Sequence, residues 1–316
     1  MLTGHEDAWH DWRSALASAR MHHAWLLAGK AGLGKAAFAL AAAQELVGGG
    51  PAPDQHPDIL VLTYGPRTKE DEKKRDDGKA FELARSIRIG QIRDIQRRLN
   101  TRPTLGDRRA VIIDPADDLE RPAANALLKS LEEPPQGTFF LLVSHSPARL
   151  LPTIRSRCRL LRFPVIADGT LQALLEREAP GAPLEERLAA VAASGGSPGA
   201  ALAFLDLNLG AFTAIMRRVR DTGDSDFALR DELATKFGTR PERERQAAIL
   251  SLARAIVGEG IDSLDRAAAV RRIAAHVGLV RLDGEILTYN YDTGLLALEI
   301  GNLLASCAAA SERADA

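Results

Sequence analysis

Cysteine is nearly absent: Cys158 and Cys307 are the only two in 316 residues. The chain therefore has neither a disulfide framework nor the thiolates of a structural zinc site, and a reducing cytoplasm suits it. Net charge is as scarce. The 41 lysines and arginines almost cancel 42 acidic residues, leaving −1. No overall field draws such a protein to nucleic acid or to an anionic membrane, so any DNA contact must come from a local patch. Apolar runs such as 110–113 (AVII) and 139–143 (FFLLV) fall far short of the roughly 20 residues that span a bilayer. The start, MLTGHEDAWHDW, has no basic segment leading into an apolar stretch. The expectation is a protein neither exported nor embedded in a membrane.

What is present is a balance of 46% hydrophobic and 26% charged residues, that of a soluble globular protein. At 316 residues the chain exceeds the roughly 250 at which single cores stop growing, so two or three domains are expected. Short branched apolar runs predict strands near Ala24–Ala28, Asp58–Thr63, Arg109–Asp114, Thr138–Ser144 and Arg159–Phe163. Amphipathic segments over Lys35–Val47, Gly90–Leu99 and Ala123–Glu132 alternate with them, the pattern of a parallel sheet covered by helices. The fold class is α/β over residues 1–164. The mixed charges of Gly65–Lys79, without apolar anchors, predict a solvated loop or hairpin. After Pro164 the strand signal ends. A small helical domain is expected over 165–207, broken at 194–199, and an all-helical one over 208–316, with polar connections at Asp221–Asp226 and Gly238–Glu242 and an apolar helix over Gly294–Ala308.

Gly29, Gly32, Gly34 and Lys35 in GKAGLGK match GxxxxGK between a predicted strand and a predicted helix. Glycines let backbone N–H groups converge on phosphate oxygens at the positive end of the helix, and the lysine adds a point charge. The next residue should be Ser or Thr, whose hydroxyl ligates Mg²⁺, but it is Ala36. Val111-Ile112-Ile113-Asp114 is an apolar strand ending in an acid, the arrangement that places the Mg²⁺-associated carboxylate beside such a loop.

The run from Asp114 through NALLKSLEEPP (125–135), with LLPTIRSRC (150–158), resembles the AAA+ subunits of the bacterial DNA polymerase III clamp loader, over roughly residues 24–205. That resemblance implies an AAA+ P-loop domain, a helical lid and a helical collar. In active members the residue after the first Asp is a Glu that orients the attacking water; here it is Pro115, which cannot act as a base. The segment 141–147 resembles the strand end carrying the sensor 1 residue, and Gly199 stands where active loaders carry a sensor 2 arginine. The non-hydrolysing delta-prime branch is therefore implied: no intrinsic ATPase, no required cofactor, a degenerate loop left to hold ATP or ADP at most, and Arg157 of the SRC string acting in trans on a neighbour's ATP. Implied partners are tau/gamma-like ATPases and a delta-like subunit in a ring, with the sliding clamp and primer-template DNA met through the complex. Many relatives carry zinc-binding cysteines after the P-loop helix; Val47–Pro57 has none, so no zinc is expected and His56 reads as a turn residue.

Two other classes compete: an active tau/gamma-like ATPase, opposed by Ala36, Pro115 and Gly199, and a free-standing P-loop phosphotransferase, opposed by the helical last third. Arg88, Arg93, Arg97, Arg98 and Arg102 read first as a solvated helix face and second as a phosphate-contacting patch. Trp9, Trp12 and Trp25 read as core or interdomain anchors, the histidines 5, 10, 22 and 23 as packing or solvent residues, and Cys158 as a small buried residue.

Overall fold

The computed structural model describes residues 4–18, 21–238, 243–286 and 291–308. Packing divides the chain into Met1–Ile166 and Ala167–Ala316. The first unit contains α1 (Glu6–Leu16), β1 (Ala24–Ala28), α2 (Lys35–Val47), β2 (Ile59–Leu62), α3 (Lys69–Asp76), α4 (Ile89–Leu99), β3 (Arg109–Ile113), α5 (Arg121–Glu132), β4 (Thr138–Ser144), α6 (Pro152–Arg155) and β5 (Arg159–Arg162). The five strands pair in parallel in the order β2-β3-β4-β1-β5, with Trp25 beside Leu141 and Arg159.

Alternate residues of each strand point to opposite faces. Trp25, Leu27, Ala110, Ile112, Leu141 and Val143 meet α1 and α2. Leu26, Val111, Ile113, Phe140 and Leu142 meet α4 and α5. The α1 helix, which the strand and helix patterns did not predict, buries Ala8, Trp9, Trp12 and Ala15 on one stripe. Trp9 packs on Phe38 at 4.3 Å and Trp12 on Trp25 at 5.4 Å between ring centroids, so all three tryptophans are core residues of this unit.

The segment 65–79 is not the loop or hairpin that its composition predicts, because it contains α3. A capping box nucleates the helix: Thr68 Oγ1 accepts from Asp71 N at 3.1 Å and Asp71 accepts from Thr68 N at 3.1 Å. Glu70, Asp71 and Glu72 fill the first turn and Lys73, Lys74 and Arg75 the last, so the charges oppose the helix dipole instead of solvating a coil.

At the far edge, Asp58 and Arg109 form a buried pair. The Asp58 carboxylate accepts from Thr104 N at 2.8 Å, Leu105 N at 2.8 Å and Arg109 Nη2 at 3.3 Å. Arg109 also donates to the carbonyls of Arg98, Thr101 and Arg102. The pair pins the connection from α4 to β3.

The second unit is helical throughout its described residues: α7 (Asp168–Glu178), α8 (Leu184–Ser194), α9 (Pro198–Asp206), α10 (Gly210–Thr222), α11 (Ala228–Phe237), α12 (Arg243–Gly258), α13 (Arg266–Ile286) and α14 (Thr293–Ala305). The α8–α9 break falls at Gly195, left-handed at φ 57°, within the expected 194–199. The two units meet at 166/167, two residues beyond Pro164; within the second unit α8 packs on α10 and α12, and α9 on α12. Of the connection expected over 238–242, only Gly238 lies within the described residues. Among them no single helix is long and apolar enough to cross a membrane.

Replacing Asp58 by Ala leaves the Arg109 guanidinium buried without its carboxylate. We expect Asp58→Ala to destabilise the first unit by about 3–5 kcal/mol, measured by urea unfolding followed through tryptophan fluorescence, which reports this unit alone.

Candidate functional site

The phosphate-loop sequence follows β1 and opens α2. Gly32 and Gly34 are left-handed, at φ 76° and 78°, so the loop curls as the motif requires. At Gly29 a Cβ would lie 2.3 Å from the Phe163 carbonyl oxygen, which excludes any side chain. Leu33 turns its side chain into the core and its carbonyl accepts from His5 Nε2 at 2.8 Å. Burial lowers the His5 pKa, so the ring is neutral and carries its proton on Nε2. His5, a packing residue by sequence, braces the loop from the start of α1, a tie between residues 28 apart that no local signal could reveal.

Lys35 is buried, and its ammonium donates to Gly29 O at 2.6 Å and to Lys30 O. Burial pushes its pKa down to about 8 despite the nearby carboxylates of Asp114 and Asp117. Asp114 follows β3; burial raises its pKa, against the pull of His145 and Lys35. Asp117 accepts from Ser144 Oγ at 2.6 Å, from His145 N, and from Ser146 N at 3.3 Å, tying the ends of β3 and β4 together. The predicted loop residues and Asp114 are thus brought to one place, the C-terminal ends of β1 and β3. Ala36 presents an exposed methyl there, and Pro115 holds extended backbone. The loop has the curl that the motif requires, but neither Ala36 nor Pro115 carries a side-chain oxygen. Gly199 lies near the start of α9 in the second unit and offers no side chain.

Arg157 is elsewhere. It precedes β5, whose Arg159 pairs with Trp25 near the start of β1, whereas the phosphate loop follows the end of β1. At about 3.3 Å per residue, the five-residue strand sets them about 15 Å apart along the sheet. Arg157 contacts Glu132, Thr153 and Ser156, none of them in the loop.

The other singled-out residues hold structure. His22 and His23 stack at 4.7 Å, and His23 Nε2 bonds to Leu131 O. His56 Nδ1 accepts from Asp58 N and Nε2 donates to Gly49 O, so both ring nitrogens are taken in the turn before β2. Burial pushes the Cys158 thiol up to about 12, which removes it as a nucleophile. Of the arginine cluster, Arg97 pairs with Asp94, Arg98 donates to Pro57 O, and Arg93 and Arg97 line a cleft of about 660 Å³ between α4 and α5 with Lys129 and Glu133.

A parallel sheet in this strand order, with a phosphate-loop motif after β1 and an acid just after β3, defines a P-loop domain of AAA+ type. The family model described as DNA polymerase III, delta subunit, matches residues 4–167, and the chain belongs to that family. It is similar to DNA polymerase III subunit delta' of Pseudomonas aeruginosa, 38% identical over 207 residues, which are 59% of this chain and 58% of that protein. It is also similar to subunit delta' of Escherichia coli, 42% identical over 118 residues, 37% of this chain and 35% of that protein. The matched part thus spans just over half of the first relative and about a third of the second. A solved DNA polymerase III gamma-subunit-related protein of Thermotoga maritima aligns over 94% of this chain and 98% of that one, at 18% identity and a TM-score of 0.48.

Because the Lys35 pKa is lowered to about 8 in the fold, unfolding takes up a proton between that pH and the ordinary lysine range. Stability therefore rises with pH across this window. We expect urea unfolding from pH 7.5 to 10 to show that rise in the wild type and to lose it in Lys35→Met.

Proposed function

We propose that this chain is a non-hydrolysing, delta-prime-type subunit of the DNA polymerase III clamp loader, working in the bacterial cytoplasm. It joins tau/gamma-like ATPases and a delta-like subunit to place the sliding clamp on primer-template DNA, and it supplies Arg157 to the ATP site of a neighbour. The observation that carries this reading is the separation within the first unit. The phosphate loop keeps its backbone but lacks oxygens at Ala36 and Pro115, while Arg157 stands at the opposite end of the sheet, out of reach of that loop. An arginine so placed serves a nucleotide on another subunit. Such an arginine accelerates phosphoryl transfer by about 10³ to 10⁵ without any local ATP. The degenerate loop is left with ATP or ADP binding at most, and no zinc enters the proposal.

A surface in the second unit supports the assembly. On α13, Ala275, Leu279 and Leu282 are buried, while Val270, Ile273, Val277 and Val280 on another stripe are all about half exposed or more. Their 3-4-3 spacing is that of a helix–helix seam. We propose that a helical collar segment of a ring partner packs there.

The isolated protein should show no ATP hydrolysis above background; steady turnover abolished by Lys35→Ala would restore the active-ATPase reading. In the reconstituted loader, Arg157→Ala should leave assembly intact and reduce partner ATP turnover at least tenfold. Arg157→Lys should rescue little, since an ammonium lacks the planar fork that matches phosphate. Unchanged turnover and loading would end the trans-acting assignment. Ile273→Asp with Val277→Asp should weaken assembly at least tenfold by analytical ultracentrifugation, with the thermal midpoint of the free chain unchanged.

A further inference from the structure

Arg157 is held in place before it has anything to act on. Its Nη2 lies 2.6 Å from Glu132 Oε1. Its Nη1 donates to Thr153 O at 2.9 Å and lies 3.4 Å from Ser156 Oγ. The backbone beneath is anchored: Ile154 is fully buried, Cys158 packs on the same core cluster, and Arg157 N donates to Ile154 O at 3.1 Å. The flanking arginines differ. Arg155 is exposed, and Arg159 lies over the Trp25 ring at 4.8 Å. A guanidinium has five N–H donors. The hydrogen bonds of Arg157 engage Nη1, and Nη2 meets Glu132 as an ion pair; among the described residues Nε–H has no acceptor, which leaves that edge of the guanidinium for an acceptor outside the subunit.

The geometry points to Glu132 as the positioning residue for Arg157: its carboxylate, at the end of α5, fixes one side of the guanidinium so that the remaining donors are presented to a neighbour's nucleotide. This rests on the trans-acting reading above. A free arginine samples many rotamers, and ordering it during the transition state slows the reaction. Ordering it beforehand removes that cost. A carboxylate is suited to the task, because its charge attracts the guanidinium and holds Nη2 at 2.6 Å. The side chains are 34% and 50% exposed, so neither charge has to be stripped of water to make the pair. Glu133, the next residue, lines the α4–α5 cleft instead.

The test uses the loader reconstituted with the full-length chain carrying Glu132→Ala, Glu132→Gln, Glu133→Gln, Arg157→Ala, or Glu132→Ala combined with Arg157→Ala. Partner ATP turnover is measured against ATP concentration, and assembly is checked by gel filtration. Glu132→Ala should lower kcat about three- to tenfold, the scale of ordering one long side chain, with KM for ATP unchanged. Glu132→Gln keeps an acceptor oxygen and should fall less, Glu133→Gln should match wild type, and the double variant should be no slower than Arg157→Ala. If Arg157→Ala slows turnover while Glu132→Ala matches or exceeds wild type, Glu132 positions nothing and the trans-acting reading survives. If Arg157→Ala itself changes nothing, that reading falls and takes this one with it. Should Glu132→Ala fail to assemble, Glu132→Gln carries the test: with assembly intact, a kcat equal to wild type together with additivity in the double with Arg157→Ala overturns the assignment, and a reduced, non-additive kcat supports it.

Discussion

Strands β1 and β4 have no face left for water: Trp25, Leu27, Leu141 and Val143 lie under one helical layer, and Leu26, Phe140 and Leu142 under the other. A parallel sheet covered on both sides cannot carry polar chemistry along its strands, because an unpaired polar group there would be desolvated without compensation. Polar side chains are therefore displaced to the strand ends. At one end gather Lys35, Asp114, Asp117, Ser144 and His145. At the other stand Glu132, Arg157 and Arg159. The two-sided burial of the sheet is what makes the domain bipolar.

The same constraint explains why the shape of the loop does not depend on side-chain oxygens. Gly29 is needed because the Phe163 carbonyl leaves no room for a Cβ, Leu33 is a core side chain, and the Leu33 carbonyl receives His5. These are packing roles, and any substitution there would disturb α1, α2 and β5 together. Positions 36 and 115 differ. Ala36 is exposed, so the fold needs no side-chain oxygen there, and Pro115 is buried and contributes only apolar packing. Lys35 belongs with the first group, since its ammonium closes the loop onto the Gly29 and Lys30 carbonyls.

Much of this was legible in the sequence because it is local. The five strands, α2 and the loop glycines follow from short apolar runs and one spaced motif. The misses share a physical cause. In α3 the helix rests on a capping box and on the order of its charges, which a composition reading averages away. The α1 helix takes its meaning from Trp9 and Trp12 meeting Phe38 and Trp25 across the fold. The Arg157 motif was visible, but its partner Glu132 lies 25 positions away and is joined to it only when α5, α6 and β5 converge.

The distance between the two ends of the sheet then bears on what the domain can do. An arginine near its own phosphate loop would be a ligand in cis, and its value would vanish with the catalytic oxygens at 36 and 115. An arginine about a strand length away is independent of them, since no single side chain bridges about 15 Å. In the proposed role, changes at the loop leave Arg157 untouched, since its nucleotide would come from another molecule. The sheet that keeps the two ends apart is also what holds the arginine's backbone fixed, through Ile154 in its core and Cys158 packed against it. On the proposed reading, what the domain contributes is therefore the rigidity with which it presents one guanidinium, independent of any chemistry at its own loop.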